Sequence, residues 1–214
     1  LDYYGYSYPI DVVVTGYSQG GAVALGVTRM LEELDSTWIV RKLYAGAGPY
    51  DPAGTYLYSM ERNEMGIPAA IPLIVMGLSD AYDLEFELED FFLEPLLSNY
   101  EEWILSKEYT VGDINYLMGS TVMTELMTEE ALDMDSPLAD MLYEVLLWNS
   151  NVGYDLRSPA YFLHSIDDEV VPILNTINLQ EQMPDESGKT YNYDHYGSHM
   201  EASVPFMQYV YQDL

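Results

Sequence analysis

Asp11-Val12-Val13-Val14-Thr15-Gly16-Tyr17-Ser18-Gln19-Gly20-Gly21-Ala22 joins a short β-branched run to small, helix-compatible residues through Gly-x-Ser-x-Gly. The pattern predicts a strand, a sharp turn and a helix, with Ser18 as candidate nucleophile at the turn. A serine at so tight a turn sits in strained backbone, which lifts its hydroxyl clear of the sheet. Gly16 and Gly20 flank it, on the expectation that side chains at either position would collide across the turn. The helix that follows aims its N-terminal N–H groups at the same spot. The Gln19 N–H is therefore a candidate oxyanion donor.

Around this turn the chain reads as an α/β protein. Ile10 to Thr15 is expected to be a buried strand, apolar on both faces as in a parallel sheet. Gln19 to about Leu34 predicts a helix, with Ala22, Leu25, Met30 and Leu34 among its inward candidates. Ile39 to Ala47 predicts the next strand, closed by the loop Gly46-Ala47-Gly48-Pro49-Tyr50-Asp51-Pro52. From about Asp51 to Ser158 no strand pattern recurs. Ile114, Leu117, Met118, Val122 and Leu126 share one helical face, with Asp113 placed as N-cap. Leu138, Met141, Leu142, Val145 and Leu146 form a second stripe, opened by Ser136 as cap and Pro137 in the first turn. Strands return near 160–165 and 190–194, separated by a helix over 173–183 and followed by a terminal helix to about Asp213.

The 214 residues suffice for one full domain with a sizeable core, and the 49% hydrophobic content is globular. Seven Lys plus Arg against 36 Asp plus Glu give a formal charge of −29. Such a surface repels phosphates and anionic membranes, so neither nucleic acid nor stable membrane insertion is expected. The longest apolar stretch, Ile67 to Leu78, is shorter than the roughly 20 residues of a membrane span and contains Pro68 and Pro72. From Asp80 to Glu144 Lys107 is the single basic residue, and acidic side chains alternate with apolar ones as on solvated helix faces. Cysteine is absent, which excludes disulfides and thiolate metal sites. Asp133 and Asp135 lack the glycine and terminal glutamate of a calcium loop, and no metal or other cofactor is expected.

Gly16-Tyr17-Ser18-Gln19-Gly20-Gly21 resembles the nucleophile elbow of the α/β-hydrolases, particularly esterases and secretory lipases. The Gly48-Pro49-Tyr50-Asp51 run is similar to the loop after the sixth strand of that fold, although it reads equally well as a plain turn. His164-Ser165-Ile166-Asp167-Asp168-Glu169-Val170-Val171-Pro172 resembles the family's His-Gly-x-x-Asp-x-x-Val-Pro signature, with Ser165 in place of the usual glycine. Counting from His164 puts Asp168 on the acid position, with Asp167 its neighbour and rival. Gly197-Ser198-His199 resembles the histidine loop. His199 is preferred as base over His195, because it follows the Gly-x pattern and opens the terminal helix. His164 is expected to be structural.

Ser18, Asp168 and His199 then stand in the order Ser, Asp, His that the resemblance implies for a nucleophile, an orienting carboxylate and a base. The implied fold is the C-terminal half of an α/β-hydrolase. Residues 1–50 and 159–214 would form the core, and 51–158 a large helical cap. Few residues precede Ser18, whereas the family carries several strands and a second oxyanion donor before its elbow. The sequence is therefore expected to be part of a longer enzyme and inactive, or nearly so, alone. The implied activity is serine-dependent hydrolysis of a small-molecule or lipid-like ester. A prolyl oligopeptidase-type peptidase and a non-catalytic hydrolase-like binding protein are the alternatives. The resemblance favours a secreted or periplasmic location; natural substrate and oligomeric state are not legible.

Overall fold

The computed structural model describes residues 11–34 and 38–214, and the opening aromatic segment and Ile10 lie outside them. Elements run in the order β1 (Asp11–Tyr17), α1 (Gln19–Glu33), β2 (Ile39–Gly46), α2 (Pro52–Arg62), α3 (Ala70–Tyr82), α4 (Leu88–Phe91), α5 (Leu96–Tyr100), α6 (Val111–Met118), α7 (Met123–Leu126), α8 (Pro137–Trp148), β3 (Ala160–Ser165), α9 (Leu174–Glu181), β4 (Lys189–Asp194) and α10 (His199–Asp213). The described residues divide into two compact units, one of those up to 52 together with 150–214 and one of residues 53–149.

The first unit is a four-stranded sheet in the order β1-β2-β3-β4, every pair parallel. Side chains alternate across it, as the period of two requires. Leu43, Ala45 and Phe162 point to one face, where they pack with Leu25 of α1 and Leu179 of α9. Tyr44, Tyr161 and Leu163 point to the other, against Ala202, Phe206 and Val210 of α10. The result is a helix–sheet–helix sandwich with β3 buried along its whole length. A parallel strand covered on both faces reads as a continuous apolar run, which is why the Tyr161-Phe162-Leu163 stretch of β3 is visible in the sequence.

Two expectations fail at the first strand and helix. β1 is not buried: its exposed and half-buried residues alternate, and Val13 is 38% exposed. The cause is its place at the edge of the sheet, with β2 as its single strand neighbour among the described residues. On α1 the buried face is Gly21, Ala24, Leu25 and Thr28, while Met30 and Leu34 are exposed. The helix selects small residues against the sheet, because small side chains let backbones approach closely.

The second unit is helical. Among the described residues its extended pairings are two isolated bridges, Glu64 with Val122 and Phe92 with Met127. Its core gathers Phe91, Phe92, Trp103, Met123, Leu126 and Leu142. The predicted cap of α8 is present, with Ser136 accepting from the Ala139 N–H. The single helical face over 114–126 is not continuous. α6 stops at Gly119, φ 73°, and α7 begins at Met123. The N-cap of α6 is Thr110, and Asp113 is the third helical residue, closing a capping box rather than opening the helix.

Residues 150–158 belong with the sheet unit. Asn151 N–H donates to Tyr50 O at 2.8 Å. The Glu32 carboxylate accepts from the Arg157 and Ser158 N–H groups, the Ser158 hydroxyl and the Tyr154 phenol. Among the described residues no helix is long and apolar enough to cross a membrane.

Candidate active site

Ser18 lies between β1 and α1 at φ 57°, ψ −131°. This backbone is strained for a residue with a Cβ, and its neighbours hold it there. The Ser18 N–H donates to Gly46 O at 2.9 Å, and the Gly21 N–H donates to Ser18 O at 2.8 Å. A Cβ on Gly16 would stand 1.9 Å from Gly20 O, so only glycine fits. The same expectation fails at Gly20, where a Cβ would meet nothing within 4 Å. The crowding at the turn comes from the Gly20 carbonyl, not from its Cα substituent. Gln19 opens α1, so its N–H has no intrahelical acceptor and lies at the positive end of the helix dipole.

The loop after β2 packs against this turn. A Cβ on Gly21 would fall 2.7 Å from Gly46 O, and one on Gly48 2.5 Å from the Tyr50 ring. Asp51, at the end of the Gly-Pro-Tyr-Asp run, is tied to α9. Its N–H donates to Asn175 Oδ1 at 2.8 Å, and Asn178 Nδ2 donates to Asp51 Oδ2 at 2.7 Å.

His199 is the first residue of α10. Ser198 caps the helix in a capping box with Glu201, and Gly197 precedes it at φ 83°. The imidazole bridges two partners from distant parts of the chain. His199 Nε2 is 2.8 Å from Ser18 Oγ, and Nδ1 is 2.7 Å from Asp168 Oδ2. Nδ1 faces a carboxylate and carries the proton, which leaves Nε2 to accept from the Ser18 hydroxyl.

The Asp168 side chain is fully buried and that of His199 is 5% exposed. Asp168 Oδ1 accepts the N–H groups of Val170 at 2.9 Å and Val171 at 2.8 Å. Burial alone would push the carboxyl up. Hydrogen bonding from His164, His199 and the Val171 N–H outweighs burial and holds it well below the usual carboxylate range.

The backbone of His199 is held from both sides. Its N–H donates to Glu169 Oε2 at 3.0 Å, and its C=O accepts from the Tyr17 hydroxyl at 2.6 Å. Burial, reinforced by the charges of Asp168 and Glu169, pushes the Tyr17 phenol up, so it remains a donor. Neither Tyr17 nor Glu169 stands out in the sequence. Their one signal there is adjacency to Ser18 and Asp168.

The rival pair lies apart. His195 Nδ1 is 2.9 Å from Asp167 Oδ1, and the two side chains are 69% and 47% exposed. His164 is fully buried, with Nδ1 2.6 Å from Thr176 Oγ1 and Nε2 2.9 Å from Val171 O. Among the described residues no group of three or more His, Asp or Glu side chains is arranged to hold a metal ion.

No protein-family model matches the sequence, and no curated protein matches it either. Solved structures do. The rice cell wall degrading esterase LipA from Xanthomonas oryzae superposes with a TM-score of 0.72 at 18% identity, over 97% of this chain and 57% of that one. A protein from Legionella pneumophila gives 0.80 at 14%, over 97% and 56%. Candida antarctica lipase A gives 0.67 at 20%, over 99% and 50%. The chain thus spans about half the length of each. With the four parallel strands and flanking helices of its described residues, the chain has part of an α/β-hydrolase fold.

Proposed function

We propose that the protein hydrolyses carboxylic esters, with Ser18 as nucleophile, His199 as base and acid, and Asp168 as the carboxylate that orients His199. The hydrogen-bonded row from Ser18 Oγ through His199 to Asp168 Oδ2, at 2.8 and 2.7 Å, carries this reading. His199 Nε2 takes the Ser18 proton as Oγ attacks the ester carbonyl, and the developing oxyanion accepts from the Gln19 N–H. Nε2 returns the proton to the departing alcohol, which leaves an acyl-enzyme. Water then attacks that acyl group with His199 again as base, and Ser18 is regenerated. Asp168 stays ionised throughout, because its hydrogen bonds favour the charged form. Its buried carboxylate fixes the ring and stabilises the imidazolium formed in each half-reaction.

The likeness to an esterase and a lipase supports ester over amide substrates, and the helical unit of residues 53–149 is assigned the part of a cap. The test is turnover of p-nitrophenyl esters against aminoacyl-p-nitroanilides by the full-length protein. Ester turnover is expected to dominate. Ser18→Ala is expected to lower kcat by several orders of magnitude, on the scale of nucleophile knockouts in other serine hydrolases, roughly a millionfold. Unchanged turnover in Ser18→Ala would remove the nucleophile assignment. Anilide turnover in excess of ester turnover would favour a peptidase.

A further inference from the structure

Behind Asp168 lies a buried histidine with no role in the proton transfers above. His164 and Thr176 are both fully buried. The two ring nitrogens of His164 face chemically different partners. Nε2 is 2.9 Å from the carbonyl oxygen of Val171 and 3.4 Å from Asp168 Oδ2. A carbonyl and a carboxylate can only accept, so Nε2 must carry a proton. Nδ1 is 2.6 Å from Thr176 Oγ1, and a hydroxyl can serve there as donor. With Thr176 donating, both nitrogens of a deeply buried ring are satisfied by the Nε2–H tautomer.

The ring bears on the carboxylate in two ways. One is the approach of Nε2 to within 3.4 Å of Oδ2, the same oxygen that accepts from His199 Nδ1. The other runs through the backbone. His164 binds the C=O of Val171, and the N–H of Val171 donates to Asp168 Oδ1 at 2.8 Å. An ordinary core histidine would satisfy its nitrogens anywhere in the interior. This one holds the acid loop at the residue that anchors one carboxylate oxygen, and it also faces the other oxygen.

We propose that His164, held as the Nε2–H tautomer by the acceptors it faces and braced at Nδ1 by Thr176, is a positioning residue that sets the orientation of Asp168 toward His199. This rests on the ester-hydrolase reading for its effect on turnover, although not for the hydrogen-bond pattern itself. A carboxylate released from one of its holds can rotate away from Nδ1, which weakens control of the His199 tautomer without touching the substrate. The effect belongs in kcat, with KM little changed.

The full-length protein, with 15N-labelled histidine, is the material for the test. The 15N resonances of His164 are expected to report the Nε2–H tautomer. The low-field proton of His199 Nδ1–H is expected to be sharp in the wild type and broadened or lost in His164→Leu. His164→Leu is expected to lower kcat by about ten- to a hundredfold, the range typical when a partner behind a functional ligand is removed. His164→Gln, whose amide N–H can reach toward Val171 O, is expected to recover most of that loss. A folded His164→Leu that keeps both kcat and the low-field proton would overturn the proposal. Should His164→Leu fail to fold, Thr176→Val gives the decision. It leaves Nε2–H facing its acceptors but removes the partner of Nδ1, so it is expected to loosen the ring, to broaden the low-field proton of His199 and to lower kcat several-fold; an unchanged low-field proton and kcat would again overturn the proposal. Retained turnover in Ser18→Ala is a separate result. It would end the ester-hydrolase reading while leaving the resonances to judge the hold of His164 on Asp168.

Discussion

At the scale of single residues, the site is defined as much by how His199 is held as by what its ring touches. Glu169 receives the His199 N–H and Tyr17 donates to its C=O, each one residue away from a group that the ring itself contacts. The acid loop and the serine turn therefore each fix the imidazole twice, once at a ring nitrogen and once at the backbone. Tyr17→Phe keeps the ring, which lies 5.3 Å from that of His199, and removes only the hydroxyl. It is expected to lower kcat for p-nitrophenyl esters by about tenfold, the equivalent of a lost hydrogen bond of roughly 1.4 kcal/mol, with KM unchanged. His195→Ala is the matching control. His195 pairs with exposed Asp167, which raises its pKa, and neither reaches Ser18. Turnover within about twofold of wild type is expected, since exposed ion pairs contribute little. A loss in His195→Ala comparable to that in His199→Ala would reverse the choice of base.

At the scale of elements, the turn between β1 and α1 makes two glycines of one motif physically unequal. Gly16 has no room for a methyl group, because its Cβ would overlap the Gly20 carbonyl at 1.9 Å. Gly20 has open space around its Cβ direction and sits in the first turn of α1. Gly16→Ala must displace the start of the helix, and with it the Ser18 backbone and the Gln19 N–H. It is expected to cost more than the roughly 0.5–3 kcal/mol of an ordinary point substitution, measured by denaturant unfolding, and to abolish turnover. Gly20→Ala is expected to stabilise by up to about 1 kcal/mol, the helix-propensity difference between the two residues. Equal destabilisation by the two substitutions would show that crowding at Gly16 does not govern the turn.

At the scale of the whole molecule, charge governs the response to salt and acid. A formal charge of −29 on 214 residues repels itself at neutral pH. Screening shortens from about 10 Å at 0.1 M salt to about 3 Å at 1 M, so the melting temperature at pH 7 is expected to rise with added NaCl. Acid acts through particular groups. The Asp168 carboxyl is held below its usual range against the cost of burial by His164, His199 and the Val171 N–H. Glu32 is lowered too: burial opposes the shift, and hydrogen bonds led by the Ser158 hydroxyl overcome it. A carboxyl whose folded pKa is depressed stabilises the fold fully above its unfolded value, near 4, and that stabilisation is lost as pH falls through the folded value. Thermal melting at low salt is therefore expected to hold or rise from pH 7 to about 5, as repulsion is relieved, and to fall below about 4. A melting temperature that keeps rising below about pH 4 would show that neither carboxylate matters to stability.

The sequence alone determined the elements whose signals are local. The strands, the helix after Ser18 and the cap at Ser136 were legible because β-branched and aromatic residues cluster where strands form, and because caps and tight turns demand particular residue types within a few positions. The candidates Ser18, Asp168 and His199 were legible for the same reason, each lying in its own short motif after a strand. What the sequence could not supply is whatever depends on neighbours far along the chain. β1 reads as buried from its valines, yet among the described residues it has β2 as its single strand neighbour and is partly exposed, because burial is set by what pairs with it. Met30 and Leu34 read as core and face solvent, because the sheet accepts the small face of α1 instead. Which histidine ring lies 2.8 Å from Ser18 is set across 181 positions of chain, and the ring there is that of His199. The hold of Tyr17 and Glu169 on the His199 backbone has no motif at all, and His164, although it stands in the acid-loop signature, shows its contacts with Val171 and Thr176 only in the folded chain. A hydrogen bond between distant segments has no fixed spacing in sequence, so only the tertiary structure could reveal it.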